Sequence, residues 1–570
     1  MTKLLSKKTY ELDSLMHAFM PVFQKHSYND LLSSVDPHLD LVKTAKAKIA
    51  KDPSKYDLDL KREDPWFTRL KLMMKNANAD YSWKLQEVLQ SLSHNPLLNS
   101  GQQQVFAEID DVQYPVATIK GNAGAGKSFA TAEMIKELMA ANAKTLVLAP
   151  THVAVTNMNQ LIDDLRQQRF DQNLKANKLI DKSANMTIAT LTSWTFRNKH
   201  VIEDIVSQEF VKDKNVEDYD IIIIDEAFAT NGSALMNVFL YAMYIQKPVL
   251  LIGDPNQLPS IQNQPLYLLD MMLDQKVLFN TTTLSQVMRT NDQNIVSLAT
   301  AVQQNDMSKM AKFYAKPDVA STNATQLLST QDFDSDYWLK IYMAVRLINQ
   351  SQQDPFGSIA LVPTNALRIE LNNIVQEQMI AQGLRDITKS IKLPNGVLLT
   401  EKDIVMISET QEVTDLTTTS KSKVRLRGAT RIQIIDVDPV TPSGTKYNKY
   451  HKDALRWNDN RYRIKIYAPD LDREMIVDLF ELSSSGYNPG MHDPDIHELY
   501  HDLNLGYVAT VNKVQGLSID HVQVYLDKPY PHVSRNLLYS AVTRARMSVS
   551  LISDPKTLQK ALYKVENMVR

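Results

Sequence analysis

The stretch Gly121-Asn122-Ala123-Gly124-Ala125-Gly126-Lys127-Ser128 constrains this chain more than any other. It fits G-x-x-x-x-G-K-[ST], a loop that cradles phosphate. Before it, residues 116–119 read as a short buried strand. After it, residues 129–139 read as a helix rich in Ala, Met, Leu and Glu. Strand, glycine loop and helix in that order point to an α/β sheet. Glycines such as Gly121, Gly124 and Gly126 let backbone amides close round a phosphate chain. The helix aims its positive end at the same anion. Lys127 is expected to reach the β/γ-phosphates, and Ser128 to offer its hydroxyl to Mg²⁺.

A length of 570 residues suggests about three to five domains. The net charge is only −2, so any nucleic-acid binding needs a local basic groove rather than bulk charge. There is no cysteine, which excludes disulfides, iron–sulfur clusters and cysteine zinc sites. No run of about 18 apolar residues stands out as a membrane span. The reading is a cytoplasmic protein, in a host cytoplasm if it is phage-encoded.

Residues 1–97 read as a helical accessory domain cut by prolines. It is expected to dock on the rest of the chain or on a partner, with single-strand-binding or replisome proteins as candidates. Gln102 opens the next helix. Its amide carries a donor and an acceptor suited to an adenine edge, and it equally suits a polar helix start.

Ile221-Ile222-Ile223-Ile224 suits a strand buried on both faces of a parallel sheet. Asp225 and Glu226 follow at its C-terminal end, where such sheets bind ligands. Asp225 is expected to hold Mg²⁺ and Glu226 to take a proton from attacking water. A second such strand, residues 249–252, ends in Gly253-Asp254-Pro255-Asn256-Gln257. Gln257 is placed near the γ-phosphate, and Arg289 is a candidate contact to it. Near the end, Arg544 has the arginine-finger role of neutralising charge as that phosphate leaves.

From about residue 396 to 494, short strands and turns dominate. Lys421, Lys423, Arg425 and Arg427 alternate with Ser422, Val424 and Leu426, and Arg431 keeps their parity. Arg461, Arg463 and Lys465 alternate with Tyr462, Ile464 and Ile466. On strands, alternation puts the bases on one face, roughly 6.6 Å apart. One reading is a face that tracks a phosphate backbone. The other is a solvated face that blunts an edge strand. His492, Asp493, Asp495, His497 and His501 invite a metal reading, but no second ligand pair at standard spacing follows, so a surface role is expected.

The ordered set resembles superfamily 1 helicases. The blocks are GNAGAGKS at 121, APTHVAV at 149, IIIIDEA at 221, GDPNQLPS at 253, LSQVMRT at 284, YVATVNKVQGLS at 507 and YSAVTRAR at 539. Within that group the chain looks most like the RecD/Dda branch, which includes small phage helicases.

The resemblance implies two RecA-like parallel-sheet domains, a β-rich SH3-like insertion in the second, and the N-terminal helical domain. The expected boundaries are 98–295, with a small hairpin insertion at about 195–220, then 296–395, 396–500 for the insertion and 501–570. It implies ATP and Mg²⁺ as cofactors, with Gln515 and Gly516 lining the γ-phosphate side. Thr151, His152, Thr190, Thr364, Asn365, Thr510 and Lys513 fall in motifs that line a single-strand path. Hydroxyls, amides and one lysine suit sequence-independent phosphate contact.

The implied activity is ATP-driven unwinding of DNA with 5′-to-3′ movement, in replication, recombination or repair. The alternatives are a translocase that displaces proteins without opening duplexes, a 3′-to-5′ helicase or an RNA helicase. The chain departs from the family pattern at Asn512, where His is common, at Ala189, and at Phe228, where Ser is common. These departures bear on coupling between strand and nucleotide sites. A strand-splitting tip is expected between Trp194 and Asp220, with Phe196 or Phe210 as its aromatic.

Overall fold

The computed structural model describes residues 82–109, 116–162, 185–206, 219–258, 279–284, 292–440, 461–479 and 503–564, apart from 153, 231, 246, 321–323, 394–396, 408–410, 418–421 and 427. The chain divides into two compact units between Arg289 and Thr290.

The first unit is built on a six-stranded sheet: β1 Val116–Gly121, β2 Thr145–Ala149, β3 Met186–Thr190, β4 Ile221–Ile224, β5 Val249–Gly253 and β6 Phe279–Leu284. Its order is β3-β2-β4-β5-β1-β6 and every pairing is parallel. All residues of β2, β4 and β5 are buried, which is why these strands are runs of Ile, Leu and Val without alternation. Ile222, Ile223 and Ile224 are fully buried. Each such side chain contributes about 1.5–3 kcal/mol of transfer energy.

Five helices of this unit matter below: α1 Ser82–Ser93, α2 Ser100–Ile109, α3 Lys127–Ala140, α4 Leu191–Arg197 and α5 Gly232–Ile245. Val88, Leu89 and Leu92 of α1 join Val105, Phe106 and Met134 in one core cluster. Buried Glu133 and Lys136 of α3 pair with each other, and Asn95 donates to the same carboxylate at 3.2 Å. Trp194 on α4 meets Tyr241 on α5 edge-on, with ring centroids 4.8 Å apart.

The second unit has its own parallel sheet, ordered β18-β8-β19-β20-β7. The strands are β7 Gln326–Leu328, β8 Ser358–Val362, β18 Val508–Thr510, β19 Ile519–Leu526 and β20 Ala545–Ser553. Between β8 and β18 the chain makes an antiparallel sheet, ordered β16-β15-β14-β11-β17, and two hairpins. The hairpins are β9 Ser390–Lys392 with β10 Leu398–Thr400, and β12 Gln411–Thr414 with β13 Lys423–Leu426. The five-stranded sheet holds β11 Ile404–Ile407, β14 Arg431–Val440, β15 Arg461–Ala468, β16 Arg473–Asp478 and β17 Leu503–Leu505. The α/β class, with a β-rich insertion in the second sheet, is therefore the observed one.

Helices of this unit include α6 Gln293–Gln303, α7 Met307–Ala311, α8 Asp336–Gln350, α9 Asn365–Ala381, α10 Arg535–Val542 and α11 Pro555–Tyr563. A buried carboxylate ties the insertion to the parallel sheet. Asp403 accepts from Arg385 Nε at 3.0 Å, the Tyr507 hydroxyl at 2.7 Å, Gln376 Nε2 at 2.7 Å and the Thr400 amide at 2.8 Å. A network with this many donors offsets the cost of burying the charge.

Arg431 departs from its expected place on an exposed basic face, whether phosphate-tracking or solvated. It is buried, and it donates to the carbonyls of Phe356 and Ser358, both at 2.8 Å. Arg431 does not share a face with Lys423 and Arg425: it opens β14 in the five-stranded sheet, they lie on the β12–β13 hairpin, and its side chain reaches the chain entering β8.

No helix among the described residues is long and apolar enough to cross a membrane. Nor do the described residues hold a group of three or more His, Asp or Glu side chains suited to a metal ion. Phe210, Arg289 and the cluster from His492 to His501 lie outside the described residues.

Candidate active site

Because β1, β4 and β5 run parallel, their C-terminal ends share one edge of the first sheet. Register sets Ile119 beside Ile252 and Ile224 beside Leu251. The phosphate loop, the acidic pair and the turn holding Gln257 therefore leave the sheet at the same level.

The loop closes by two left-handed glycines, Gly124 at φ 80° and Gly126 at φ 76°. Residues with a Cβ resist that conformation. Gly126 caps α3, which begins at Lys127. The Lys127 side chain is buried and its ammonium donates to the carbonyls of Gly121 at 2.7 Å and Asn122 at 3.0 Å. Gly121 packs closely: a Cβ there would lie 3.0 Å from Leu284 Cβ and 3.3 Å from Lys127 Cδ. Ser128 is half-buried beside Lys127 at the helix start.

Asp225 is buried just beyond β4. Burial, helped by the charge of Glu226, pushes its carboxyl up to about 7, while the Glu226 amide and Lys127 hold it down. Its Oδ1 accepts the Glu226 amide at 3.0 Å. Glu226 stands at φ 50°, a left-handed conformation that bulky residues rarely adopt. Strain of this kind is stored where a side chain must be aimed. The turn after it packs on Gly253, where a Cβ would lie 2.8 Å from Phe228 Cδ2 and 3.1 Å from the Ala227 amide.

A hydroxyl at Ser128 and a costly buried carboxylate at Asp225 are hard oxygen donors, the kind Mg²⁺ takes alongside phosphate oxygens. The residues present thus fit that ion. Gln257 is buried in the turn after β5, and its backbone N–H donates to the Asp254 carbonyl at 3.2 Å. Sequence reading passed over Asn256, whose Nδ2 donates to Asn122 Oδ1 at 3.4 Å and joins this turn to the phosphate loop.

Gln102 sits in a reciprocal cap at the start of α2. Its Oε1 accepts the Asn99 amide at 3.0 Å, and Asn99 Oδ1 accepts the Gln102 amide at 2.9 Å. Its Nε2 then donates to the Gly126 carbonyl at 3.1 Å. Of the two expectations for Gln102, the polar helix start is in place, and its remaining donor braces the phosphate loop. Asn99 was legible as the first member of a capping box.

In the second unit, two late motifs meet. Arg544 is buried, with Nε donating to the Ser540 carbonyl at 3.0 Å and Nη1 to the Leu517 carbonyl at 3.2 Å. Leu517 directly follows Gln515 and Gly516, the latter at φ 89°. One guanidinium therefore holds the Gln515-Gly516 turn to the end of α10.

Residues 97–324 match the family described as an AAA domain, and residues 505–552 match a UvrD-like helicase C-terminal domain. These matches support a superfamily 1 nucleic-acid helicase. No curated protein matches the chain. Among solved structures it is similar to the Pif1 helicase from Candida albicans, at 14% identity over 81% of this chain and 97% of that one, with a TM-score of 0.43. It is also similar to a Pif1 helicase from Bacteroides in complex with ADP-AlF3 and ssDNA, at 14% identity over 83% and 94%, with a TM-score of 0.41.

The residues expected from the sequence to contact a strand lie at C-terminal ends of strands in both units. In the first, Thr151 and His152 follow β2, with Thr151 Oγ1 accepting the Ala154 amide at 3.2 Å. Thr190 ends β3 and its hydroxyl accepts the Ser193 amide at 3.2 Å, capping α4. In the second unit, Thr510 ends β18, with exposed Lys513 in the turn beyond it. Thr364 follows β8 and caps α9, accepting the Leu367 amide at 3.3 Å, and Asn365 accepts from Arg368 at 3.2 Å. Because β18 and β8 are neighbours, Thr510 and Thr364 share one edge.

The basic stripes divide differently from the single face expected. Arg425 is exposed on the β12–β13 hairpin, directly opposite Glu412, while Arg463 belongs to β15 in the five-stranded sheet. Lys423 pairs with Glu412 at 3.2 Å and Lys465 pairs with Glu474, so acids interleave the bases. Phe196, the candidate strand-splitting aromatic, is 77% exposed at the end of α4, two residues after buried Trp194 and so on the other side of the helix.

Proposed function

We propose that this chain is an ATP-dependent DNA helicase that moves along single-stranded DNA, 5′ to 3′, and opens duplex ahead of it. The observation that carries this reading is the grouping of Lys127, Asp225 and Glu226 at one edge of a parallel sheet, close enough for Lys127 to act on the Asp225 carboxyl. Lys127 holds the β/γ-phosphates, and Ser128 with Asp225 would hold Mg²⁺, which would supply charge withdrawal from the phosphoryl group. Glu226 takes a proton from water as its oxygen bonds to the γ-phosphorus and the β–γ bridging oxygen leaves on ADP. By the order of the motifs, Gln257, Arg289 and Arg544 are assigned the task of neutralising or sensing that departing charge, and Gln515 and Gly516 that of contacting the γ-phosphate.

Thr151, His152, Thr190, Thr364, Asn365, Thr510 and Lys513 contact the strand without reading its sequence. Arg425 and Arg463 extend that contact onto the insertion. The direction of travel and the RecD/Dda branch rest on the order and wording of the motifs. The pathway is replication, recombination or repair, with the region 1–97 as the part of the chain through which replisome or single-strand-binding proteins would be recruited.

The test is unwinding of duplexes carrying a 5′ or a 3′ tail, in DNA and in RNA, with Lys127→Ala as the dead control. Opening of the 5′-tailed DNA alone is expected. Opening only of the 3′-tailed or RNA substrate would overturn the polarity or the substrate. Movement on single strands with no strand separation would replace the helicase reading with a protein-displacing translocase.

A further inference from the structure

The second unit holds a cavity of about 890 Å³ between α6, α7 and the chain entering β7. Local folding places its charges. Asn305 at φ 55° turns the chain sharply after α6. Asp306 then caps α7 by accepting the Lys309 amide at 3.0 Å. Lys309, Lys312 and Lys316 line the cavity, with Asp318 the single carboxylate among its lining residues. Lys309 is partnered by Asp306 at 3.3 Å, and Asp318 accepts the Ala320 amide at 2.9 Å. Among the described residues, Lys312 and Lys316 pair with no carboxylate. Beyond the lining, Asp332 and Asp554 lie close enough to act on the Tyr314 phenol, which burial and those charges hold neutral.

Tyr314 is 39% exposed into the cavity, and its backbone is fixed by a bridge to Leu327. Ser297 and Thr300, one turn apart on α6, add hydroxyls. Cations along a groove, an aromatic face and hydroxyls form the combination that binds a single strand without reading its sequence. The cations are all lysine. Lysine serves phosphate as a point charge, whereas carboxylate recognition favours the arginine fork. β7 is the edge strand farthest from β18 and β8, so the cavity stands apart from Thr510 and Thr364 in the same unit.

We propose that this cavity is a second single-strand contact, in which Lys312 and Lys316 hold successive phosphates and a base lies against Tyr314. The inference rests on the nucleic-acid reading above and adds to it a site that the helicase motifs do not cover.

The test uses the full chain and labelled oligothymidylates, short and long, with binding followed by fluorescence anisotropy across a salt series. For the long oligomer, Lys312→Glu with Lys316→Glu is expected to weaken binding about tenfold at moderate salt. Loss of two phosphate contacts lowers the salt slope by about 1.4. Lys312→Gln with Lys316→Gln should give the same slope change with a smaller loss. Tyr314→Ala should weaken binding with the slope unchanged. Variants that bind the long oligomer as the wild type does would overturn the inference and leave the helicase reading standing. The same holds if the lysine variants lose a labelled polyglutamate peptide but not the oligothymidylate, which would make this an acidic-protein site. Wild-type protein that binds no oligothymidylate would sink both readings.

Discussion

The ammonium of Lys127 lies 2.7 Å from the carbonyl oxygen of Gly121, so the residue that ends the loop is bonded to the residue that begins it. The phosphate loop is thereby drawn closed by its own cation. A phosphate chain entering there competes with two carbonyls for one charge. Lys127→Met keeps most of the stem and removes the charge. We expect DNA-stimulated ATP hydrolysis to fall by at least about 10²-fold, with the thermal unfolding midpoint of the first unit little changed. Full hydrolysis in this variant would remove the site from the mechanism.

Gly253 is constrained from the other side of the site. Ala there places its methyl against Phe228 and the Ala227 amide, at 2.8 and 3.1 Å. The ring can swing away and the amide cannot without shifting Glu226. Gly253→Ala is expected to destabilise the first unit by about 1–3 kcal/mol and to depress hydrolysis. Adding Phe228→Ala should restore only part of the stability. Complete rescue by that second change, in urea denaturation, would show that the ring alone makes the constraint.

Both findings show what was legible and what was not. Lys127, Asp225 and Glu226 stood out because each sits at a fixed offset from a strand that hydrophobic pattern alone identifies. The Phe228–Gly253 contact joins residues far apart in the chain, and the sequence marks Phe228 only as a missing Ser. Arg431 failed for another reason. Alternation assigns a residue to a face, but it does not say what covers that face.

Gln102 offers a sharper choice. Its amide is committed to the Asn99 amide and the Gly126 carbonyl, at 3.0 and 3.1 Å. Gln102→Ala should cost about 1 kcal/mol through the lost cap and loosen the loop for every nucleotide alike. The KM values for ATP and GTP are expected to rise by the same factor. A selective rise for ATP would show that the amide reads the base.

Arg431 uses its fork to hold two carbonyls, Phe356 and Ser358, at 2.8 Å each. Burial draws its guanidinium down to about 10, so it remains cationic at neutral pH. Lysine has no fork and cannot reproduce both bonds. Arg431→Lys is expected to destabilise the second unit by about 1.5–3 kcal/mol, the scale of one hydrogen bond to a charged group. An unchanged urea midpoint would mean the two bonds contribute nothing net.

His521 makes the stability of the second unit depend on pH. It is buried on β19, with Nδ1 2.8 Å from the Ser548 hydroxyl. Burial, aided by the charge of Arg346 and opposed by Asp520, pulls its imidazole below the ordinary 6.5. The unfolded chain therefore takes up a proton near 6.5 while the folded unit still refuses one, and stability rises with pH wherever the unfolded state binds more protons. The contribution is complete above 6.5. It is lost as pH falls through that value, and the loss levels off below the folded pKa. Urea denaturation at pH 7.5 and 5.5 should show a drop in wild-type stability that His521→Gln reduces, because glutamine does not titrate there. Equal drops in both proteins would mean that other groups, not this imidazole, set the acid limit of the unit.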